Sequence, residues 1–519
     1  MHEVFVGTEI ESYLRYFDLS DTSSTQGWSI RPMSPAQVRA LARALGGHPW
    51  EARLSRFAAS SSPFEFRFLS PNGSLRFNSQ FPYGSNDGAI WAGRGFTMAA
   101  QGGLYARMGP LSLTLLPTVF RAQNSAFLLA PSTLPCGCGQ PIHGIGVDRP
   151  QRFGTAAYQR LDPGQSSVRI DALGLSAGIS TANEGWGPSV EYPFLVGNNA
   201  AGFPHLFFGS SRPIPIFVGR AHLKVIYGRL DQSHYSPVTG PKFYASRLEP
   251  GRLRFASGVV ATFQPRGFDG LEIGGSRFLH SIWPRSGIPS SYLTKPLQAF
   301  LKVNQPGIDL QLVSTDNQLA SLFAKWTFRK SGLEVYAEYG REDNSHDLRD
   351  FVQEPDHQRA YSLGLAKVFG KRSSQFNVFR VEAMNFQMPP LATTGRGEGS
   401  IYFHSPMRQG HTNRGQLLGA DIGVAAAAAS TVRWDHYSNG GRWAVFWRRN
   451  VRLETSDSTL TAASVPQISD VLHAFGYERL KFTRRFDITT SFTFMRDLSR
   501  DLSNSRSNLN AAVAIALPR

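Results

Sequence analysis

Phe486-Asp-Ile-Thr-Thr-Ser-Phe-Thr-Phe494 puts its large apolar residues at Phe486, Ile488, Phe492 and Phe494 and leaves Asp487, Thr489, Ser491 and Thr493 between them. A period of two describes a strand with one face in an apolar medium and the other in a polar one. The same alternation runs through Phe64-Glu-Phe-Arg-Phe68 and Leu333-Glu-Val-Tyr-Ala-Glu-Tyr339. Less regular strands are predicted at Leu111–Phe120, Val168–Ser180, Ser321–Phe328, Ala360–Phe369, Arg442–Glu454 and Asn510–Leu517. Turn-forming clusters at Pro71-Asn-Gly73, Phe268-Asp-Gly270 and Ser438-Asn-Gly440 are read as separating strands. With few helical patterns between them, such strands make an all-antiparallel sheet. At roughly 25 residues per strand and connection, the chain beyond residue 60 has room for about 16–18 strands. No repeat of fixed period appears, which argues against a propeller.

Composition agrees. The chain has 519 residues, with 50 Gly, 37 Phe and 16 Tyr, only 18% charged residues and a slightly negative mean hydropathy. A transmembrane barrel looks like this because lipid-facing and lumen-facing side chains alternate and the average is not hydrophobic. No stretch reaches the roughly 18 apolar residues of a membrane-spanning helix, so a span would have to be a closed barrel. The expected fold is therefore all-β, a large antiparallel transmembrane β-barrel over residues 61–519. Its expected location is the outer membrane of a Gram-negative-type bacterium. Met1-His2-Glu3-Val4 lacks the basic and apolar regions of a secretory signal. The sequence is read accordingly as a mature chain or one with a mis-assigned start.

Residues 1–60 follow a different period and are expected to form a small helical cap or plug. Thr8 and Glu11 make a capping box, and Ile10, Leu14 and Phe17 form one stripe. Ser34, Pro35 and Gln37 start a second helix, with Val38, Leu41 and Leu45 as its buried face and Gly46-Gly47 at its end. A short third helix follows Pro49, with Leu54 and Phe57 turned inward.

Several segments taken in order resemble the Wzi-type capsule assembly proteins. They are Asn86-Asp-Gly-Ala-Ile-Trp-Ala-Gly-Arg-Gly95, Trp186-Gly-Pro188, Asn198-Asn-Ala-Ala-Gly-Phe-Pro204 and Gly228-Arg-Leu-Asp-Gln-Ser-His-Tyr235. Leu333-Glu-Val-Tyr-Ala-Glu-Tyr-Gly-Arg-Glu-Asp343, Asp347–Phe351, Glu354–His357 and Ala360-Tyr361 follow. The resemblance implies an outer-membrane barrel with a periplasmic helical bundle. It also implies a non-enzymatic, lectin-like role in holding capsular polysaccharide, and it supplies no catalytic set.

Binding of a polysaccharide would use aromatic faces on sugar rings and arginine forks on acidic groups. The candidates are Trp186, Arg220, Tyr235, Trp283, Arg341, Tyr402, His404 and Arg414. The net charge of +16 points to an acidic surface polysaccharide, and to lipopolysaccharide in the surrounding membrane, as partners. Nucleic acid is not expected, because no basic helix, zinc-finger spacing or RNA-binding motif is present. No cofactor or metal is expected either. Cys136 and Cys138 are read as incidental loop residues, and the acidic loop Arg341–His357 does not follow the EF-hand template.

Two further functions compete with this reading. One is a porin for anionic solutes, with the excess Lys and Arg lining an open lumen. The other is a hydrolase. Asp435-His-Tyr-Ser-Asn-Gly-Gly441 places His436 and Ser438 on one face of a strand and is similar to the active-site segment of outer-membrane phospholipase A, with Asn450 at the position of that family's third residue. Gly174-Leu-Ser-Ala-Gly178 matches a nucleophile-elbow pattern, but it lies in a period-two run with no helix after it.

Overall fold

The computed structural model describes residues 3–19, 26–44, 47–54, 63–129, 147–235, 253–284, 287–297, 316–342, 348–353, 355, 358–370, 373–386, 401–403, 407, 409–424, 427–454, 468–498 and 505–518. Within them, 18 antiparallel strands close into a barrel. They are β1 (Phe64–Asn78), β2 (Gly95–Met108), β3 (Leu111–Leu115, continued by Thr118–Ala122), β4 (Tyr158–Asp162, continued by Ser167–Ala172), β5 (Leu175–Ser180) and β6 (His205–Ser210, continued by Ile214–Ile216). Then come β7 (Gly219–Asp231), β8 (Leu253–Pro265), β9 (Leu271–Ile282), β10 (Asp316–Phe328), β11 (Leu333–Glu342) and β12 (Arg359–Phe369). The last six are β13 (Gln375–Asn385), β14 (Ala427–Ser438), β15 (Gly441–Glu454), β16 (Ile468–Phe482), β17 (Asp487–Asp497) and β18 (Arg506–Ala516). β18 pairs with β1, which completes the ring.

The period-two pattern is the barrel wall. On β17, Phe492 and Phe494 are exposed on the outside while Thr493 is buried within; on β1, Phe64, Phe66 and Phe68 point outward around the buried Glu65. Two expected boundaries shift. Pro71-Asn-Gly73 is a bulge inside β1, where the register steps between Leu69 and Asn72, and no turn forms there. Val168–Ser180 is a hairpin, because Leu173 and Gly174 both adopt positive φ and reverse the chain. The strands that the alternation missed, β7 to β9 among them, turn apolar side chains inward as well. Ile226, Leu230, Ala256, Val260 and Phe278 are fully buried in the lumen, so both faces are apolar and the contrast fades.

The two ends differ. At one, strands are joined by short turns such as Gly109-Pro110, Leu173-Gly174 and Asn439-Gly440; at the other, long connections run between them. Three helices fill the short-turn mouth: α1 (Glu9–Asp18), α2 (Pro35–Ala44) and α3 (Glu51–Leu54). Thr8 caps α1 through Glu11 N, and Ser34 and Gln37 exchange the two bonds of a capping box at α2. Phe57, Gly46 and Leu45 lie outside the described residues. Tyr13 stacks on Trp50 with ring centroids 4.0 Å apart; Tyr13 also meets Phe376 and Tyr437 of the wall, and Trp50 meets Tyr437 and Phe482. Trp50 Nε1 donates to the Ser438 carbonyl at 3.0 Å, Arg53 pairs with Asp487 at 2.6 Å, and Arg15 pairs with the buried Glu334 at 3.0 Å.

The segment Ile30-Arg31 then pairs with Gly185-Trp186 and ties this cap to the connection between β5 and β6. That connection enters the lumen and meets the one between β13 and β14. Gly197 N donates to the Leu418 carbonyl at 2.9 Å, Asn413 Nδ2 to Ala201 at 3.0 Å, and Tyr402 OH to Phe194 at 2.5 Å. The result is an apolar core inside the barrel, built on Trp186, Phe194, Phe203 and Tyr402. A filled lumen is not the open, basic lumen of the porin alternative.

Replacing Trp50 with Ala removes a stacked, buried ring and should cost about 3–5 kcal/mol of cap packing. We expect limited proteolysis to cleave residues 1–60 in Trp50→Ala while the barrel keeps its folded, heat-modifiable migration on gels.

Candidate functional site

At the long-connection end the filling stops short of the rim and leaves a cavity of about 300 Å³. Its floor is the segment between β1 and β2, which brings Phe81, Tyr83, Asn86, Asp87 and Trp91; its far wall is Arg448, Asn450 and Arg452 of β15 with Asp470 of β16. Tyr192, Asn199 and Gln416 close the side. Aromatic faces are thus set among hydrogen-bonding groups.

Most charges here are paired. Arg149 meets Asp421 at 2.5 Å, Arg448 meets Glu191 at 2.6 Å, and Arg506 meets Asp497 at 2.7 Å. Burial pushes the Glu191 carboxyl up, but Arg448 and Arg380 outweigh it and hold it below the usual range. By contrast, Asn450 Oδ1 and Gln416 Oε1 are buried acceptors with no partner among the described residues. A ligand rich in hydroxyl donors would satisfy them.

None of the described sequence candidates lines this cavity. Trp186 is fully buried, with its indole N–H on Glu184 at 3.2 Å. Tyr402 is equally buried, and its hydroxyl joins Phe194 to Ala420; both residues fill the lumen. Arg414 bridges Asp162 at 2.6 Å and Asp231 at 3.2 Å, fixing a lumen turn to β4 and β7. Arg341 is buried at the end of β11. Arg220 stands opposite Gln264 at the other end of the barrel, and Trp283 packs near Phe255, which in turn meets Tyr292. Tyr235 backs Phe153 of the cavity wall with ring centroids 5.7 Å apart. His404, Cys136 and Cys138 lie outside the described residues. Of the residues that line the cavity, Asn86, Asp87 and Trp91 fall in the first stretch of the family resemblance; none of the three was among the sequence candidates.

The hydrolase set is not assembled. His436 and Ser438 share the outer face of β14, yet no hydrogen bond joins them among the described residues, and His436 Nδ1 lies 3.0 Å from Asn377 Oδ1. Asn450 stands opposite Ala429 on the inner face, nine positions along β15 from Gly441, the partner of Ser438. That is roughly 30 Å at the rise of a strand. Gly174–Gly178 forms part of a hairpin, without the elbow. No group of three or more His, Cys, Asp or Glu suited to a metal occurs among the described residues.

A family model described as capsule assembly protein Wzi matches residues 107–454, more than half of the chain. The chain belongs to that family. The closed barrel accordingly sits in a bacterial outer membrane. Among solved structures, this Wzi-family chain is similar to Wzi of Escherichia coli, described as an outer-membrane protein involved in group 1 capsule assembly and a carbohydrate-binding β-barrel. The two superpose with a TM-score of 0.63 at 14% identity, over 100% of each chain. Weaker similarities reach OccAB3 of Acinetobacter baumannii (TM-score 0.41, 8% identity, 86% of this chain and 98% of that one) and OpdQ of Pseudomonas aeruginosa (0.43, 9%, 87% and 97%). No curated protein matches the sequence.

Arg414 illustrates how its family-like surroundings are held. Asp162 is buried, so Arg414→Ala leaves its carboxylate with only Arg160 at 3.6 Å and the Gly164 N–H as partners. The expected loss is about 3 kcal/mol, the low end for breaking a buried pair, because Arg414 keeps 22% exposure. A thermal melt in detergent should show it, with Arg414→Lys recovering only part, since an ammonium cannot fork between two carboxylates.

Proposed function

We propose that this barrel binds surface polysaccharide in the cavity at its long-connection end and so helps to assemble or anchor capsule at the cell surface. The observation that carries this reading is a pocket of Tyr83, Trp91 and Tyr192 faces with the acceptors of Asn450 and Gln416, which have no partner among the described residues. Bacterial barrels turn their short loops to the periplasm, so the helical cap faces inward and the cavity faces out. Membership of the capsule assembly family, and the carbohydrate binding described for the Escherichia coli relative, support the same polymer class.

The net charge of +16 draws an acidic polymer toward the molecule over a Debye length. Inside the pocket most cations are already matched by carboxylates. Hydroxyls and ring faces of the sugar therefore make the close contacts, while the wider field sets the preference for an acidic chain. The apolar outer belt provides the contact with membrane lipid and lipopolysaccharide. Nothing in this role requires catalysis.

In a strain lacking the gene, polysaccharide should still be made but appear in the medium rather than on cells. An unchanged bound fraction would defeat the anchoring reading. With purified protein, Tyr83→Ala and Trp91→Ala should each weaken polysaccharide binding about tenfold, or about 1.4 kcal/mol, while the melting temperature stays near that of the parent.

A further inference from the structure

The filled lumen leaves a second space, a chamber of about 400 Å³ beside the cap, bounded by Trp50 and Arg53 at the mouth and by Ser74 and Thr489 on the wall. Asn86, Asp87 and Ile90 line both this chamber and the outer cavity. The strap from Gly84 to Ile90 is therefore the partition between two spaces that lie toward opposite ends of the barrel.

What holds the strap differs from what holds the rest of the filling. It pairs with no strand. Asp87 accepts two bonds from Arg76 of β1, one of them at 2.7 Å. Ser85 Oγ accepts from Arg448 at 2.7 Å, Gly88 N donates to the Asn198 carbonyl at 2.7 Å, and Asn198 Nδ2 donates back to Asn86 at 2.6 Å. Asn86 and Gly88 both sit at positive φ, 55° and 60°, which folds the strap sharply across the lumen. The neighbouring filling is a packed apolar core that would expose Trp186, Phe194 and Phe203 if it moved. Moving the strap mainly exchanges polar contacts for water, a much smaller penalty.

We propose that the strap is the gate of a narrow aqueous path for small hydrated ions, closed while Asp87 holds Arg76. When Asp87 leaves, the outer cavity and the inner chamber join along β1 and β15 to β18. The Arg76 guanidinium then loses its bidentate partner and keeps only the weaker influence of Glu478 and Tyr83, so the open path prefers anions such as chloride.

Planar-bilayer recording in KCl tests this with the full-length protein. The parent should pass little steady current. Asp87→Asn and Arg76→Gln should each raise conductance at least tenfold, and a KCl gradient should give them opposite reversal potentials, anion-selective for the first and cation-selective for the second. Asn198→Ala loosens the strap without changing its charge, and guards against either charge variant failing to fold; it should conduct as well. As a separate readout, Ser74→Cys in a Cys136→Ser/Cys138→Ser background should react with an impermeant maleimide added outside cells only when combined with Asp87→Asn. Folded variants that stay at the parental current, a shared selectivity, or a large steady current in the parent would each overturn the proposal.

Discussion

Closing eighteen strands into one sheet encloses more space than the wall's own side chains can fill, and barrels of this size otherwise carry water. That constraint governs the molecule. The inner faces of β7 to β9 turn Ile226, Val260 and Phe278 into the lumen, and these would be exposed unless something covered them. The cover is irregular chain, whose backbone groups must then be paired where water is scarce. The mutual bonds between residues 195–201 and 411–418 meet that requirement, and Arg254 of β8 adds two more by donating to the Gly410 and Thr412 carbonyls at 2.6 Å. His411, lowered by burial to about 4, stays neutral and donates from Nε2 to the Leu195 carbonyl.

The second consequence is electrostatic. Arg380, Arg433 and Arg442 reach into the lumen and meet Asp435, Glu478, Glu191 and Glu9. Glu9 belongs to the cap, Glu191 to the lumen filling and the others to the wall. Buried pairs of this kind add little net stability over apolar packing, yet breaking one is costly. Their effect is positional: each arginine accepts only the arrangement that brings its carboxylates to it. Cap, filling and wall are registered to one another through these charges, which fixes where the outer cavity and the strap lie.

The wall and the cap were legible because they are local. A period of two needs only the neighbouring residues, and Thr8, Ser34 and Gln37 announce helix starts within one turn. The filling was not legible, since its rules are long-range. Trp186 meets Ile30 across the chain, and Tyr402 meets Phe194. Aromatic and arginine residues near turns were read as ligand groups, but inside a wide barrel the same residues are what a loop needs in order to pack and to pair its carbonyls. Arg414 is the clearest case: a guanidinium in a turn, satisfied by Asp162 and Asp231 rather than by a sugar. Asn450 misled differently. Its spacing from Ser438 fits a catalytic pattern, but the tight Asn439-Gly440 turn sends it to the inner face.

The stretches that resemble the family behave alike. Asn86 and Asn198 bond to each other across the lumen, and Trp186 sits at full burial beneath them. These stretches help to close the barrel, and Asn86, Asp87, Trp91 and Asn199 among them also line the outer cavity. The outer cavity takes one edge from that closure, through Asn86, Asp87 and Trp91, and its opposite wall from Arg448, Asn450, Arg452 and Asp470. The two halves are joined by Arg448, which donates to Ser85 of the strap and pairs with Glu191 of the filling, so the wall that faces a ligand also holds the closure in place.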